Sequence, residues 1–370
     1  MDVMVVQPVP ARVAADTDEP GGFSSRQLAI LAGATVLAIA SGVLLAGALG
    51  DLPDIWRRIS NGDPRWLALA ALFEIGSFYG HILLFNAVGR DGSGRITLRA
   101  SAEINLAGHA ATRLLATGGA GGIALTAWAM RRSGQPRSEV AARMVTFTVL
   151  LYSVYMFALI FGGLGLYSGV LHGGGSAAVT LAPAILGAAV IAIALTAQLV
   201  PPAHAESSRV RRVLAPIGSG VRRARRLALS GNPALLGALL WWGLDIAVLW
   251  ASFKAFGQAP PWGVLVVAYF VGTLANLLPL PGGIGGVDGG MIGALVAFGT
   301  APGLALVAVL AYRVFAFWLP IAPGALAYVK LRKRVAGWEL EDAEGERPVQ
   351  PSVLRRSPRP AREAALAHSC

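Results

Sequence analysis

Eight ionisable residues stand inside long apolar stretches of this chain: Glu74, Glu103, Arg113, Arg143, Asp245, Lys254, Asp288 and Arg313. A charge surrounded by apolar residues is costly, so each must be paired, reach an interface, or line a polar site. Four are acidic and four basic, and pairing is the simplest reading of any one of them. Lys254 is placed to snorkel to an interface, and Glu103 to lie near a surface. Arg143 and Arg313 are candidate ligands for a phosphate, because a guanidinium offers a planar, bidentate set of donors that matches phosphate oxygens. Asp288, Asp245 and Glu74 are the candidates for balancing or coupling charge.

Two glycine runs add a second kind of anion chemistry. Gly118, Gly119 and Gly121 fall within Thr117–Gly122, and Gly282, Gly283 and Gly285 follow Pro279-Leu280-Pro281. Successive N–H groups in such turns converge on an anion, and a helix that starts just after one adds its positive dipole end. Asn276, just before the second run, is placed to cap or coordinate. Asp288 falls in the first turn of the following helix, where its charge would stabilise the N-terminus. The sharper reading makes it a protonatable or cation-binding carboxylate. Other motifs carry less. Gly-Ile-Gly-Gly-Val-Asp-Gly lacks the βαβ context of a dinucleotide fingerprint. His81, His109, His172, His204 and His368 have no metal-ligand spacing. The single cysteine, Cys370, offers no disulfide framework. With no nucleophile or metal constellation, neither an enzyme nor a bound cofactor is expected.

The elements that must position these groups are membrane helices. Of 370 residues 55% are hydrophobic and only 14% charged, against about a quarter charged in soluble domains. Runs 27–49, 65–89, 139–168, 177–200, 233–256 and 303–330 are each long enough to cross a bilayer. Stretches 100–131 and 261–301 are apolar but broken by glycine and proline, and such breaks persist at membrane depth only where protein or a water-filled cavity satisfies the backbone. The excess of basic residues, 31 against 20 acidic, points to topology rather than nucleic acid. Seventeen basic residues lie in segments 90–99, 131–137, 201–232 and 330–334, and three in the opposite connections, which puts both termini in the cytoplasm. The two broken stretches are then re-entrant hairpins, or pairs of tilted short spans, entering from opposite faces. Segment 1–26 reads as a cytoplasmic lead, 201–232 as a basic cytoplasmic loop with an anionic-lipid contact around Arg222–Arg226, and 331–370 as a disordered cytoplasmic tail.

The chain also repeats. Phe85–Gly89 recurs as Phe253–Gly257, Gly118–Ile123 as Gly282–Val287, and Arg143–Phe147 as Arg313–Phe317, at shifts of 168, 164 and 170 residues. Because the arginine count gives the halves opposite orientation, the expected architecture is all-α: six full spans and two broken hairpins in an inverted repeat, 27–170 and 177–330. Transporters built this way hold substrate where the broken helices meet. Chance similarity between two helical halves is the competing account.

Asn276-Leu277-Leu278-Pro279-Leu280-Pro281-Gly282-Gly283-Ile284-Gly285, with Asp288 and Tyr312-Arg313 beyond it, resembles the signature of the lysylphosphatidylglycerol synthase transmembrane-region family. That family includes the flippase half of the bacterial multiple peptide resistance factor. The resemblance covers nearly all of 27–330 and implies a lipid-translocating or lipid-handling protein of the bacterial inner membrane. In the family an acidic residue, usually Glu, follows the Pro-Gly-Gly-Ile-Gly element, and Asp288 takes that place. The first hairpin keeps its glycines without the Glu found in many members. Lysyl transfer is not implied, since synthase members carry a large cytosolic catalytic domain after the spans. Two functions are open: a flippase-like transporter of an anionic phospholipid or polyprenyl-phosphate lipid, and a non-transporting scaffold for a cell-envelope enzyme. A transporter would place Arg143 and Arg313 in one polar cavity, whereas a scaffold can bury them in closed pairs.

Overall fold

The computed structural model describes residues 57, 59–114, 120–201, 209–275 and 285–345. The expected first span 27–49, Gly118, Gly119, Asn276, Gly282, Gly283 and residues 346–370 lie outside the described residues. The described elements are helices throughout, in the order α1 (Pro64–Gly89), α2 (Leu98–Leu114), α3 (Ala120–Arg132), α4 (Arg137–Tyr167), α5 (Ala177–Ala197), α6 (Arg209–Leu229), α7 (Ala234–Phe256), α8 (Trp262–Leu274), α9 (Gly286–Ala297), α10 (Pro302–Arg313) and α11 (Ile321–Gly345). A π-helical turn, Val314–Trp318, joins α10 to α11. Helices α1, α4, α5, α7 and the continuous α10–α11 are long and apolar enough to cross a membrane. Exposed apolar side chains such as Phe161, Ile185 and Ile193 give these helices a lipid-facing surface.

Both broken stretches are helical hairpins. In the first, α2 and α3 approach so closely that a Cβ on Gly122 would lie 2.4 Å from Gly108 O. In the second, a Cβ on Gly272 would lie 2.8 Å from Met291 N. Small residues are what permit backbones this near. The helix starts repeat as well: Pro64, Leu98, Ala120 and Arg137 recur at Ala234, Trp262, Gly286 and Pro302, shifts of 170, 164, 166 and 165 residues.

The equivalent helices α1 and α7 cross antiparallel, as an inverted pair must. Asp63 N donates to Ala255 O at 3.0 Å at one end, and the Trp66 and Trp250 rings lie 5.1 Å apart. Ser77 Oγ donates to Trp241 O at 2.9 Å farther along, and Gly80 meets Gly237 beyond it. Asp63 also caps α1 by accepting from Arg65 N at 2.9 Å, with Pro64 in the first turn where no N–H is needed.

One end of the bundle collects the basic segments. Arg95 pairs with Asp342 at 2.5 Å, Arg132 with Glu339 at 2.5 Å and Arg223 with Glu139 at 2.7 Å. Glu103, which is buried, accepts a bidentate pair from Arg334 at 2.6 and 2.8 Å. Hairpin α2–α3 enters from this end, and α8–α9 from the opposite one, where Gly175 abuts Phe298.

Two expectations are corrected here. Residues 209–229 form helix α6 rather than a loop. Gly220 packs on Val145 and accepts a 3.1 Å hydrogen bond from Thr146. Arg222 donates to Gln198 O and Val200 O, at 2.8 and 2.6 Å, closing the C-terminus of α5. Residues 331–345, assigned to the disordered tail, continue helix α11. Their acidic patch is held by Arg95 of the α1–α2 connection and Arg132 at the end of α3, a complementarity invisible to composition alone.

Candidate functional site

Two regions of the helical bundle bring buried polar and charged side chains together. The first is a cavity of about 150 Å³ bounded by α1, α2, α3 and α4, with His81, Asn105, His109, Thr112, Thr126 and Arg143 among its lining. The N-terminal turn of α3 supplies Gly122 and Ile123 to its wall, which brings the positive dipole end of that helix to the space. Ile123 and Thr148 line the cavity and are exposed, which opens it sideways between α3 and α4 onto the apolar surface. The His81 and His109 rings stand 4.7 Å apart, and both pack on Trp241. His81 Nδ1 is buried with no partner among the described residues.

Arg143, 8% exposed, sits at one edge of this cavity. Its Nε pairs with Glu139 at 2.8 Å. Its Nη1 donates to Val88 O at 3.2 Å and to Arg90 O, satisfying carbonyls at the C-terminus of α1 that have no helical partner. Arg143 therefore anchors the end of α1 while presenting charge to the cavity.

The second region surrounds the α1–α7 crossing. Glu74 and Asp245, 3% and 6% exposed, lie within hydrogen-bonding reach of each other. Each is the tenth or eleventh residue beyond its helix start, so they occupy near-equivalent places in the repeat. Asp245 Oδ2 accepts from Tyr269 Oη of α8 and, at 3.1 Å, from Tyr312 Oη of α10. Arg113, at the end of α2, is near enough for both carboxylates to act on its charge. Its Nη2 donates to Ala316 O at 2.6 Å. Residue 320 is proline, so that carbonyl has no N–H four residues on to accept from, and the arginine supplies a donor there. The guanidinium also lies over Phe78 and Phe317, at 5.7 and 5.6 Å from their centroids.

Arg313 forms a separate arrangement. Its Nε is 2.6 Å from Asp288 Oδ1, an ion contact outside hydrogen-bond angles, and its guanidinium covers Phe317 at 4.7 Å. Asp288 Oδ2 accepts from Gly285 N at 3.1 Å, capping α9, and Gly285 has φ +81°, a conformation glycine adopts without strain. Asp288 thus serves its own helix start and Arg313 together.

The structure gathers Glu74 and Asp245, places Asp288 with Arg313, and puts Arg143 in the lateral cavity. It does not unite Arg143 with Arg313, nor does it make them equivalent. Arg143 falls in the second turn of α4, Arg313 at the end of α10, and the shift between those helix starts sets Ala308 opposite Arg143. Gly121 lies in the first turn of α3 and Gly285 immediately precedes α9. Sequence reasoning passed over Arg113, Tyr269, Tyr312 and the His81–His109 pair as site members. Arg113 was visible as a deep charge, and only the partners supplied by distant helices single it out. Among the described residues no group of His, Cys, Asp and Glu is arranged to hold a metal ion.

Comparison with known proteins agrees with this architecture. A family model described as "Lysylphosphatidylglycerol synthase TM region" matches residues 29–324. Curated relatives from Methanothermobacter thermautotrophicus carry the name "UPF0104 membrane protein". One is 32% identical over 123 residues, 32% of this chain and 36% of that protein. Another is 32% identical over 95 residues, 25% of this chain and 27% of that protein. The aligned stretches thus span well under half the length of these relatives.

Proposed function

We propose, from the premise that the chain belongs to the lysylphosphatidylglycerol synthase transmembrane-region family, that it translocates an anionic lipid between the leaflets of a cell membrane. The lipid is a phospholipid or a polyprenyl-phosphate-linked one, the membrane is the bacterial inner membrane, and both termini lie in the cytoplasm. The observation that carries this reading is the lateral cavity. Its wall is mostly apolar with His81, Asn105, His109 and Thr126 set into it, and it combines Arg143 with the N-terminal turn of α3. A headgroup phosphate entering between α3 and α4 would meet the Arg143 guanidinium and the positive dipole end of α3 while its acyl chains stay outside. Among the described residues Arg313 and Gly285 do not line this cavity, so their part in lipid handling is indirect, through the packing around α9.

A second reading has its own support. Arg143 and Arg313 are each engaged, with Glu139 and Asp288 respectively, as a scaffold for an envelope-biosynthesis enzyme would allow. The deciding experiment follows leaflet exchange of a fluorescent anionic phospholipid in proteoliposomes. The wild-type protein accelerates exchange over protein-free vesicles. Ile123→Trp, an exposed position at the cavity mouth, and Arg143→Gln each lower that acceleration at least tenfold while the protein remains monodisperse. Equal exchange by wild type and Ile123→Trp would reject the lateral route. No acceleration of either phospholipid or polyprenyl-phosphate probes would favour the scaffold.

A further inference from the structure

The α1–α7 crossing contains an imbalance that the lipid cavity does not use. Around it the described residues place three carboxylates, Glu74, Asp245 and Asp288, against two guanidiniums, Arg113 and Arg313. Asp288 and Arg313 neutralise each other. Arg113 is left to face two carboxylates, one of which exceeds its charge. Glu74 Oε2 and Asp245 Oδ1 are both fully enclosed and have no hydrogen-bond partner among the described residues. Two ionised carboxylates can only accept, so adjacent ones repel and leave both oxygens unsatisfied. A single proton cures both defects, giving one donor between the two oxygens and an overall neutral cluster.

We infer that Glu74 and Asp245 hold one exchangeable proton between them, Glu74 Oε2–H donating to Asp245 Oδ1. The described elements that meet the pair fit. Tyr269 of α8 and Tyr312 of α10 both donate to the other oxygen of Asp245, which marks that residue as the ionised partner. Arg113 of α2 supplies the one positive charge that this residue needs. The π turn contributes Ala316 O, already taken by Arg113, and the apolar face of Phe317. A bound metal cation is a poorer match, since the tyrosines and Arg113 point donors at the site where a cation requires several converging oxygens. The pair lies where the two halves of the repeat cross, the place where a rocking motion would change access from one side to the other. Its service as the coupling site for lipid movement rests on the reading above, whereas the proton itself does not.

The test is infrared spectroscopy of the purified full-length protein in nanodiscs, with H₂O exchanged for D₂O to identify the protonated-carboxyl band. The wild type shows one buried carboxylic acid at neutral pH, unaffected by replacing sodium with choline, and loses it in alkali. Glu74→Gln removes the band, because the amide N–H donates to Asp245 but carries no carboxyl proton, and it keeps the fold. Asp288→Asn leaves the band in place. Absence of the band from the wild type, its persistence in Glu74→Gln, or its suppression by sodium would each overturn the assignment. In proteoliposomes an imposed pH difference changes the lipid exchange rate of the wild type and not of Glu74→Gln. A band without lipid exchange would reject the transport reading and keep the proton site, and exchange without a band would do the reverse.

Discussion

Arg113→Met lowers the stability of the protein by about 3–5 kcal/mol, the cost of removing one partner from a buried ion cluster. The side chain is only partly buried as a whole, but its functional end is enclosed. Nη1 lies out of solvent, Nη2 holds Ala316 O, and the face of the guanidinium rests on Phe78 and Phe317. Methionine fills comparable volume and keeps the aromatic contacts. The loss therefore isolates two effects, a carbonyl orphaned by Pro320 and a carboxylate pair with no opposing charge. Thermal unfolding in nanodiscs gives the change. The combination Arg113→Met with Asp245→Asn regains part of it, because the excess negative charge has gone while Ala316 O remains unpaired. A single variant as stable as the wild type would mean that Arg113 is not the counter-charge of the crossing. Full recovery in the double variant would mean that the Ala316 contact contributes nothing.

The same cluster shows how far the sequence can be read. Glu74, Asp245, Arg113 and Asp288 were recognisable as expensive charges in apolar runs, because the cost of burial is a property of the residue and its neighbours in the chain. Which charge meets which was not readable, because Asp245 owes its hydrogen bonds to α8 and α10, whose tyrosines recur at no fixed spacing from it. Spans were legible wherever about twenty apolar residues run together, and the hairpins wherever glycine interrupts them. Helix α6 and the 331–345 end of α11 escaped for a different reason. Their charged composition is that of a solvated segment, and they are ordered by partners elsewhere. Thr146 and the carbonyls ending α5 fix α6, while Arg95 and Arg132 fix the end of α11. The match of Arg143 with Arg313 illustrates the opposite error. A short similarity at a plausible offset ranked two residues together that the helix starts set five positions out of register.

The α1–α7 crossing is also where the fold tolerates least. Gly80→Val prevents normal folding or costs roughly 3 kcal/mol or more, the upper end of overpacking penalties. A Cβ at Gly80 would lie 2.6 Å from Leu240 Cβ, 2.7 Å from Gly237 O and 3.1 Å from Trp241 N. These are main-chain atoms and the first atom of a side chain, so no rotamer change relieves the clash, and the two helices must separate. Gly237→Val meets Gly80 O at 2.5 Å and has the same outcome. Gly243, on the same helix α7, has nothing within 4 Å of its would-be Cβ. Gly243→Ala is therefore neutral, or stabilising by about 0.5–1 kcal/mol through its helix propensity. Recovery of monodisperse protein and its unfolding temperature separate the three variants. If Gly80→Val behaves like Gly243→Ala, the close approach of the helices is wrong. The proton site would fall with it, since Glu74 and Asp245 meet only because glycine lets α1 and α7 cross this near.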